Sequence, residues 1–228
     1  SCEDEADVLT EWTEIIQKNK LLETKFLEMP TSKQTTRRAK AKKDIVFEAA
    51  AEVFAQYGYK RTTMNDIAQA ADISRPALYL IFDNKENLFY ELAANRLDIS
   101  IERAISALSV EATLNTRFID ALLAFEKAFY EPVSSSPHGA ELMDISQSLA
   151  ADVLTKGFSK LVTAFSNTLK EAEKCGEANF QDTPLTPKSF VELLITALGG
   201  IKKKAKTITE FRKQTTQVAE IFLATITD

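Results

Sequence analysis

The chain has 228 residues, which is enough for one sizeable domain or for a small domain joined to a larger one. Its composition, 45% hydrophobic and 27% charged with 6 Gly and 6 Pro, is typical of a folded helical protein and excludes a disordered or fibrous one. No apolar run reaches the roughly 18 residues of a membrane span and the N-terminus lacks a secretory pattern, so we expect a cytoplasmic protein. Cys2, Cys175 and the single His138 show no ligand or triad spacing, so we expect no disulfide, metal, cofactor or catalytic triad.

The charge of the chain is distributed unevenly. The net charge is -5, yet six basic residues and no acidic one lie between Thr31 and Lys43, whereas residues 1–30 carry eight acidic and three basic residues. A polyphosphate responds to the patch that faces it and not to the net charge, so the basic arm at residues 31–43 is a candidate for nucleic-acid contact. A solvated tail explains a basic run equally well when the run is taken alone.

The first half of the chain predicts a series of short helices. Residues 8–27 have apolar side chains near helical spacing and precede Pro30, so we predict an amphipathic helix within an acidic extension at residues 1–30, to which we assign no function. A second helix is predicted from Ala41 to a C-terminal cap at Gly58.

Three N-cap residues predict the next helices. Thr63 is expected to cap a helix that runs through Ala71, Ser74 a short helix with Pro76 in its first turn, and Asn84 a helix that runs to about Leu108. Two short helices joined by a tight turn form a helix-turn-helix, whose usual partner is DNA, although an ordinary helical hairpin has the same periodicity. Its predicted core is Ile67, Ala68, Ile73, Leu78 and Phe82, which leaves Arg75, Pro76, Ala77 and Tyr79 on or near the exposed face.

Residues 58–88, GYKRTTMNDIAQAADISRPALYLIFDNKENL, closely resemble the N-terminal DNA-binding domain of TetR-family transcriptional repressors. The resemblance covers residues 41–90. The chain departs from many members at Asp72, Pro76, Leu80 and Ile81, so we expect its base-reading surface to differ from theirs. The resemblance implies an all-α fold, with a three-helix helix-turn-helix domain at residues 44–90 and a larger effector-binding and dimerisation domain at 91–228, in a bacterial protein that lies at the nucleoid when it binds DNA.

The resemblance also implies roles for individual residues. Thr63 and Lys85 would bind phosphates, and Arg75 would read a guanine, with Asn65 a weaker candidate for an adenine or a phosphate. Contacts to phosphates or thymine methyl groups are expected from Pro76, Ala77 and Tyr79, although Tyr79 also fits a position in the core. The basic arm would add salt-sensitive affinity through residues that include Lys42 and Lys43.

The C-terminal part of the chain predicts further amphipathic helices at roughly residues 115–130, 140–153, 156–174, 187–204 and 209–227. By the resemblance, an effector pocket would be lined by Phe118, Leu122, Phe125, Phe129, Met143, Phe158 and Phe165, although each also fits a solid core. A homodimer interface would form from the last two helices, through Leu194, Ala197, Leu198, Ile201, Val218, Ile221 and Phe222.

These observations predict a sequence-specific DNA-binding regulator, a repressor that a small apolar or amphipathic ligand releases from a palindromic operator. An activator has the same binding chemistry. The alternatives are an all-helical enzyme, a ligand carrier and an adaptor without sequence-specific DNA binding. We expect no enzyme, because the chain lacks a nucleophile elbow, a phosphate-binding glycine loop and an HExxH motif.

Overall fold

The computed structural model describes the backbone of residues 32–227 and the side chains of residues 37–227, and every regular element in that part of the chain is an α-helix. The all-α prediction is therefore confirmed, while the predicted extension at residues 1–30 lies outside the described residues. Among the described residues, 46–227 form one compact unit and those before Val46 belong to another. No helix among the described residues is long and apolar enough to cross a membrane.

The first four described helices are α1 (Ser32–Tyr57), α2 (Met64–Ala70), α3 (Arg75–Tyr79) and α4 (Lys85–Leu108). As predicted, Thr63, Ser74 and Asn84 are N-caps, and each side-chain oxygen accepts a hydrogen bond from the backbone N–H three residues later. α1 begins at Ser32 instead of Ala41, so the basic arm is helical from that residue. The arm is rich in Lys, Arg and Ala, which favour helices, and contains neither Gly nor Pro.

Six further helices follow, namely α5 (Leu114–Phe129), α6 (Glu131–Ser134), α7 (Gly139–Leu149), α8 (Ala151–Lys174), α9 (Pro187–Lys204) and α10 (Ile208–Leu223). The short α6 had no counterpart among the predicted helices. α7 and α8 meet at Ala150, which is fully buried, and not in a loop near residue 154. The other boundaries lie close to those that the apolar periodicity predicts.

Residues 46–228 contain two hydrophobic cores. The first is built from the helices up to α4, and its buried residues include Phe54, Ile67, Leu78, Phe82 and Leu142 from α7. The second joins the rest of α4 to α5, α8, α9 and α10, with buried residues that include Leu97, Phe118, Phe165, Phe190 and Leu194. Because α4 supplies Leu88 to the first core and Leu97 to the second, it is packed into both.

Candidate functional sites

The turn between α2 and α3 has the geometry that a helix-turn-helix needs. Asp72 has a φ of 52°, in the left-handed region that Asp tolerates better than most residues. The N–H of Ile73 donates to the carbonyl of Ala68 at 3.0 Å, which fixes the direction of the chain as it enters α3. Asp72 therefore occupies the turn position at which many members of the family that the sequence resembles have Gly.

α3 is too short to be stable alone and is held from inside. Leu78 is fully buried and Phe82 nearly so, and the hydroxyl of Ser74 accepts from the N–H of Ala77 at 3.3 Å. The opposite face of the helix is open. Arg75 and Pro76 are exposed and Ala77 is half-buried, as the sequence predicts.

Two aromatic and apolar side chains add to this open face. Tyr79 is 41% exposed, so the alternative of a core position does not apply, and Leu80 is 89% exposed. The Arg75 guanidinium lies 5.5 Å from the centroid of the Tyr79 ring. Among the described residues, Arg75 has no carboxylate within salt-bridge distance, so its positive charge is not neutralised within the protein.

The start of α2 carries two of the predicted DNA contacts, and an acidic residue lies beside them. Asn65 and Thr63 are exposed, but the backbone N–H and the hydroxyl of Thr63 both donate to the Asp66 carboxylate, at 2.8 and 2.7 Å. These hydrogen bonds lower the pKa of Asp66. A phosphate at Thr63 would have to displace or approach this carboxylate, and the phosphate role of Thr63 stays a prediction.

Lys85 has partners within the protein that the sequence does not reveal. Its Nζ donates to the carbonyls of Tyr59 and Thr62, at 2.9 Å each, and lies 4.4 Å from the centroid of the Tyr59 ring. Burial and the nearby Glu86 raise the pKa of Tyr59 to about 12. Lys85 thus ties the start of α4 to the loop before α2, and its predicted phosphate contact would rely on the remaining N–H.

The basic arm presents charge on α1. Lys42 is exposed and Lys43 is half-buried, and both precede the compact unit that starts at Val46. Their predicted DNA contact stays a prediction.

The α7 clamp, formed by Ser136 and His138 just before α7 and by Glu141 within it, holds the end of α1 and the turn that follows it. The Ser136 hydroxyl donates to the carbonyl of Ala55 at 2.7 Å, and Glu141 accepts from the N–H of Lys60 at 2.9 Å. His138 Nδ1 lies 3.5 Å from the Glu141 carboxylate. Sequence reasoning gave His138 no ligand or triad role and missed this clamp, because contacts across 81 positions leave no periodic signal.

The predicted effector-binding residues separate into two groups. Phe118, Leu122 and Phe165 are buried in the second core, and the rings of Phe118 and Phe165 meet edge to face at 4.8 Å. Phe125, Phe129 and Phe158 are only half-buried, with ring centroids 5.3 to 6.2 Å apart, and Met143 is also half-buried. Phe125, Phe129 and Phe158, which we call the aromatic triad, are therefore the predicted effector-binding aromatic residues whose rings are still partly accessible to a ligand.

An ion-pair network, in which Glu126 is buried and Arg212 and Glu131 are half-buried, joins α10 to α5 and α6. Arg212 donates through Nε to Glu126 at 2.9 Å and through Nη2 to Glu131 at 2.6 Å. Burial raises the pKa of Glu126, and Arg212 opposes that rise. Nearby, Lys202 of α9 lies 4.1 Å from the centroid of the Tyr130 ring, and burial lowers its pKa to about 8.

α9 and α10 form an open surface on their outer side. A groove of about 960 Å³ between them is lined by residues that include Ala197, Ile201, Val218 and Ile221, all predicted for a dimer interface. Ile221 is 66% exposed, and a Cβ on Gly199 or Gly200 would meet no atom within 4 Å. Leu198 and Phe222 are half-buried.

Leu194 is the exception among the predicted interface residues. It is fully buried in the core of the protomer and has no surface for a partner, whereas its neighbour Leu193 is 49% exposed. The periodicity placed an apolar stripe on α9 but could not tell which side of that stripe faces the second core.

Comparisons with known proteins agree with this geometry. A sequence profile described as "Bacterial regulatory proteins, tetR family" matches residues 46–92. The chain is 26% identical over 166 residues to an uncharacterized HTH-type transcriptional regulator, YhgD of Bacillus subtilis, across 72% of this chain and 85% of that protein. It is 43% identical over 61 residues to the probable acrEF/envCD operon repressor of Escherichia coli K12, across 27% of this chain and 28% of the repressor.

The fold is similar to that of solved regulators. SmeT, the repressor of the Stenotrophomonas maltophilia multidrug efflux pump SmeDEF, superposes with a TM-score of 0.60 and 18% identity, across 82% of this chain and 90% of SmeT. SmeT has also been solved as a complex with triclosan. The helix-turn-helix of α2 and α3, the profile match across it and the regulators among the relatives lead to one conclusion: residues 46–92 match the DNA-binding domain of the TetR family, and the chain is similar to bacterial transcriptional regulators.

Proposed function

We propose that this DNA-binding regulator is a repressor, that it binds a palindromic operator as a homodimer, and that a small apolar or amphipathic effector releases it. The observation that carries the proposal is the exposed face of α3, where Arg75 lies beside Pro76 and Tyr79 and pairs with no carboxylate of the described residues. The major groove admits one helix, and an arginine on its first turn can donate two hydrogen bonds to O6 and N7 of a guanine.

The base-reading role is tested with the full chain and a duplex selected by that chain from a random pool. Arg75→Ala should lower affinity for the selected duplex by about 5- to 150-fold, which is about 1 to 3 kcal/mol, and change affinity for random duplex far less. Arg103→Ala is the matched control, because Arg103 is an exposed arginine on α4 outside the helix-turn-helix. If a folded Arg75→Ala protein kept full discrimination, Asn65 or the basic arm would become the better candidate.

The proposed homodimer forms through the outer surface of α9 and α10. Two identical recognition helices that read a palindrome require two-fold symmetry, and a two-fold interface uses the same patch on both subunits. The apolar groove and the open surface at Gly199 and Gly200 support a close approach of a second copy.

Sedimentation of the full chain should show a dimer that Ile221→Glu or Leu193→Glu dissociates. Ile105→Glu is the control, because Ile105 is an isoleucine of α4 with 43% exposure. A monomer at micromolar concentration, or dissociation by Ile105→Glu alone, would contradict this interface.

The proposed effector site is the aromatic triad of α5 and α8. Rings with an uncovered edge or face offer apolar contact area and specific stacking geometry, so they suit an aromatic or amphipathic molecule. Because SmeT forms a complex with triclosan, triclosan is a suitable first probe. Isothermal titration should show binding that Phe125→Leu or Phe158→Leu weakens and that Tyr57→Leu, at an exposed ring on α1, leaves unchanged.

The α7 clamp gives such a ligand a means of acting on DNA binding. α7 follows α5 and α6 in the chain, packs against α8, and hydrogen bonds to the turn before α2 through Glu141. An effector lowers DNA affinity only as far as it binds one arrangement better than the other, typically by about 1 to 3 kcal/mol. Glu141→Ala, which removes the acceptor, should reduce the effect of the ligand on DNA affinity without reducing ligand binding, and a ligand that binds tightly but leaves DNA affinity unchanged would contradict the coupling.

A further inference from the structure

We propose that Tyr79 is a positioning residue, whose ring holds the Arg75 guanidinium in the orientation that reads a guanine of the operator. The inference rests on the proposed function, which assigns Arg75 to a base edge. It adds a second specificity-determining residue and a reason why this short helix can present an arginine in a defined direction.

The geometry on α3 favours this pairing. Arg75 and Tyr79 are four residues apart, so they lie on the same face of the helix one turn from each other. The guanidinium carbon is 5.5 Å from the ring centroid, inside the roughly 6 Å within which a cation is attracted to an aromatic face. The open position of Tyr79 leaves its ring on the surface that Arg75 occupies and not in the core.

The charge of Arg75 has no competing partner among the described residues. No carboxylate lies within salt-bridge distance of it, and the Tyr79 ring is the group that contacts it. An exposed arginine without such a contact samples many rotamers and loses that freedom when it binds. A tyrosine has only two side-chain torsions, so it loses little conformational entropy when it holds a longer side chain in place.

The contact also leaves the N–H groups of the arginine available. The planar guanidinium has five N–H donors, and no hydrogen bond to Tyr79 occupies them among the described residues. Two of those N–H groups can therefore still donate to O6 and N7 of a guanine. The hydroxyl of Tyr79 takes no part in this role, so removing it should matter little.

The test uses the full chain, the duplex that it selects from a random pool, and the same duplex with 7-deazaguanine at the half-site guanine, which removes the N7 acceptor. Tyr79→Leu should lower affinity for the selected duplex by about 2- to 5-fold per half-site, the range of an exposed cation–π contact, and leave random duplex unaffected. It should also shrink the penalty of the 7-deazaguanine substitution. Tyr79→Phe should behave as the unmodified protein does, because it keeps the ring.

Coupling between the two residues decides the outcome. In an Arg75→Ala background, Tyr79→Leu should have no further effect, whereas Leu80→Ala, a change at the adjacent exposed residue, should add independently. If Tyr79→Phe lost as much as Tyr79→Leu, or if Tyr79→Leu had its full effect without Arg75, the positioning role would be wrong while Arg75 remained a base reader. If Arg75→Ala itself left the discrimination between selected and random duplex intact, the proposed recognition face on α3 would be wrong instead. Thermal melts of every variant exclude unfolding as the cause of any loss.

Discussion

Lys85 offers a test of how the helix-turn-helix is held together, since it hydrogen bonds to backbone and not to another side chain. Its ammonium donates to the carbonyls of Tyr59 and Thr62 and lies over the Tyr59 ring. Hydrogen bonds that involve a charged group contribute roughly 1.5 to 3 kcal/mol each when they are removed. A cation over a ring adds about 0.5 to 1 kcal/mol at an exposed site and about 2 kcal/mol when the pair is desolvated, and the Tyr59 ring is buried.

Lys85→Met removes the charge and the donors but keeps most of the apolar stem. Lys85 is only part-buried, so water can replace some of the lost hydrogen bonding, and we expect a loss of about 2 to 4 kcal/mol in the free energy of unfolding. For a chain of this size, that corresponds to a fall in Tm of roughly 5 to 15 °C. Calorimetry measures it, and Lys60→Met is the control, because Lys60 is an exposed lysine in the same loop. An unchanged Tm for Lys85→Met would refute the structural role.

DNA binding by Lys85→Met distinguishes a structural role of Lys85 from a direct contact to DNA. If Lys85 only holds the loop before α2 in place, its loss should lower the affinity for operator and for random duplex alike, even well below the Tm. If the remaining N–H of Lys85 also contacts a phosphate, the slope of log affinity against log salt should fall by roughly 0.9 per site, or about twice that for a symmetric dimer. A lower Tm with an unchanged slope would leave Lys85 with the structural role alone.

Three further changes have expected outcomes. Gly58→Ala should destabilise the protein by about 1 to 3 kcal/mol in thermal melts, because Gly58 has a φ of 81° and an added Cβ would lie 2.5 Å from Oε2 of Glu141. A second change, Glu141→Ala, should relieve the clash with Glu141 but not the backbone strain, so it should restore only part of the lost stability. Arg212→Met should reduce the free energy of unfolding in urea by about 3 to 5 kcal/mol, because it leaves the Glu126 carboxylate buried without its cation, and Glu126→Gln should rescue it in part. Lys202→Met should flatten the pH dependence of Tm between pH 8 and 10. The pKa of Lys202 is about 8 in the folded protein, which is lower than in the unfolded chain, so the unfolded state binds more protons in this range. The unmodified protein therefore gains stability as the pH rises from 8 to 10, and the variant should not.

Local sequence signals predicted the elements of the DNA-binding domain well. N-caps depend on residues within one turn, so Thr63, Ser74 and Asn84 could be assigned without knowledge of the fold. The turn at Asp72 and the open face around Arg75 follow from the same local rules.

Contacts between distant positions could not be predicted in the same way. Apolar spacing predicts the same burial for Phe118 and Phe125, yet Phe118 is fully buried and Phe125 is half-buried. It also cannot separate Leu193 from Leu194, since which side of α9 meets the core depends on how α5, α8 and α10 pack. The pairing of Arg212 with Glu126 spans 86 positions, and each of those residues taken alone has the pattern of a solvated helix surface.

The same long-range contacts form a continuous series from α10 to the helix-turn-helix. α10 has Ile221 on its outer surface and Arg212 paired to Glu131 of α6 on its inner side. α6 leads directly into the α7 clamp, which hydrogen bonds to the backbone just before α2. Packed interiors transmit displacement because they contain few voids to absorb it, so a shift of α10 has to be accommodated along this series of contacts or break one of them. Glu131 carries one of these contacts directly, because its carboxylate accepts the hydrogen bond from Arg212 that joins α6 to α10.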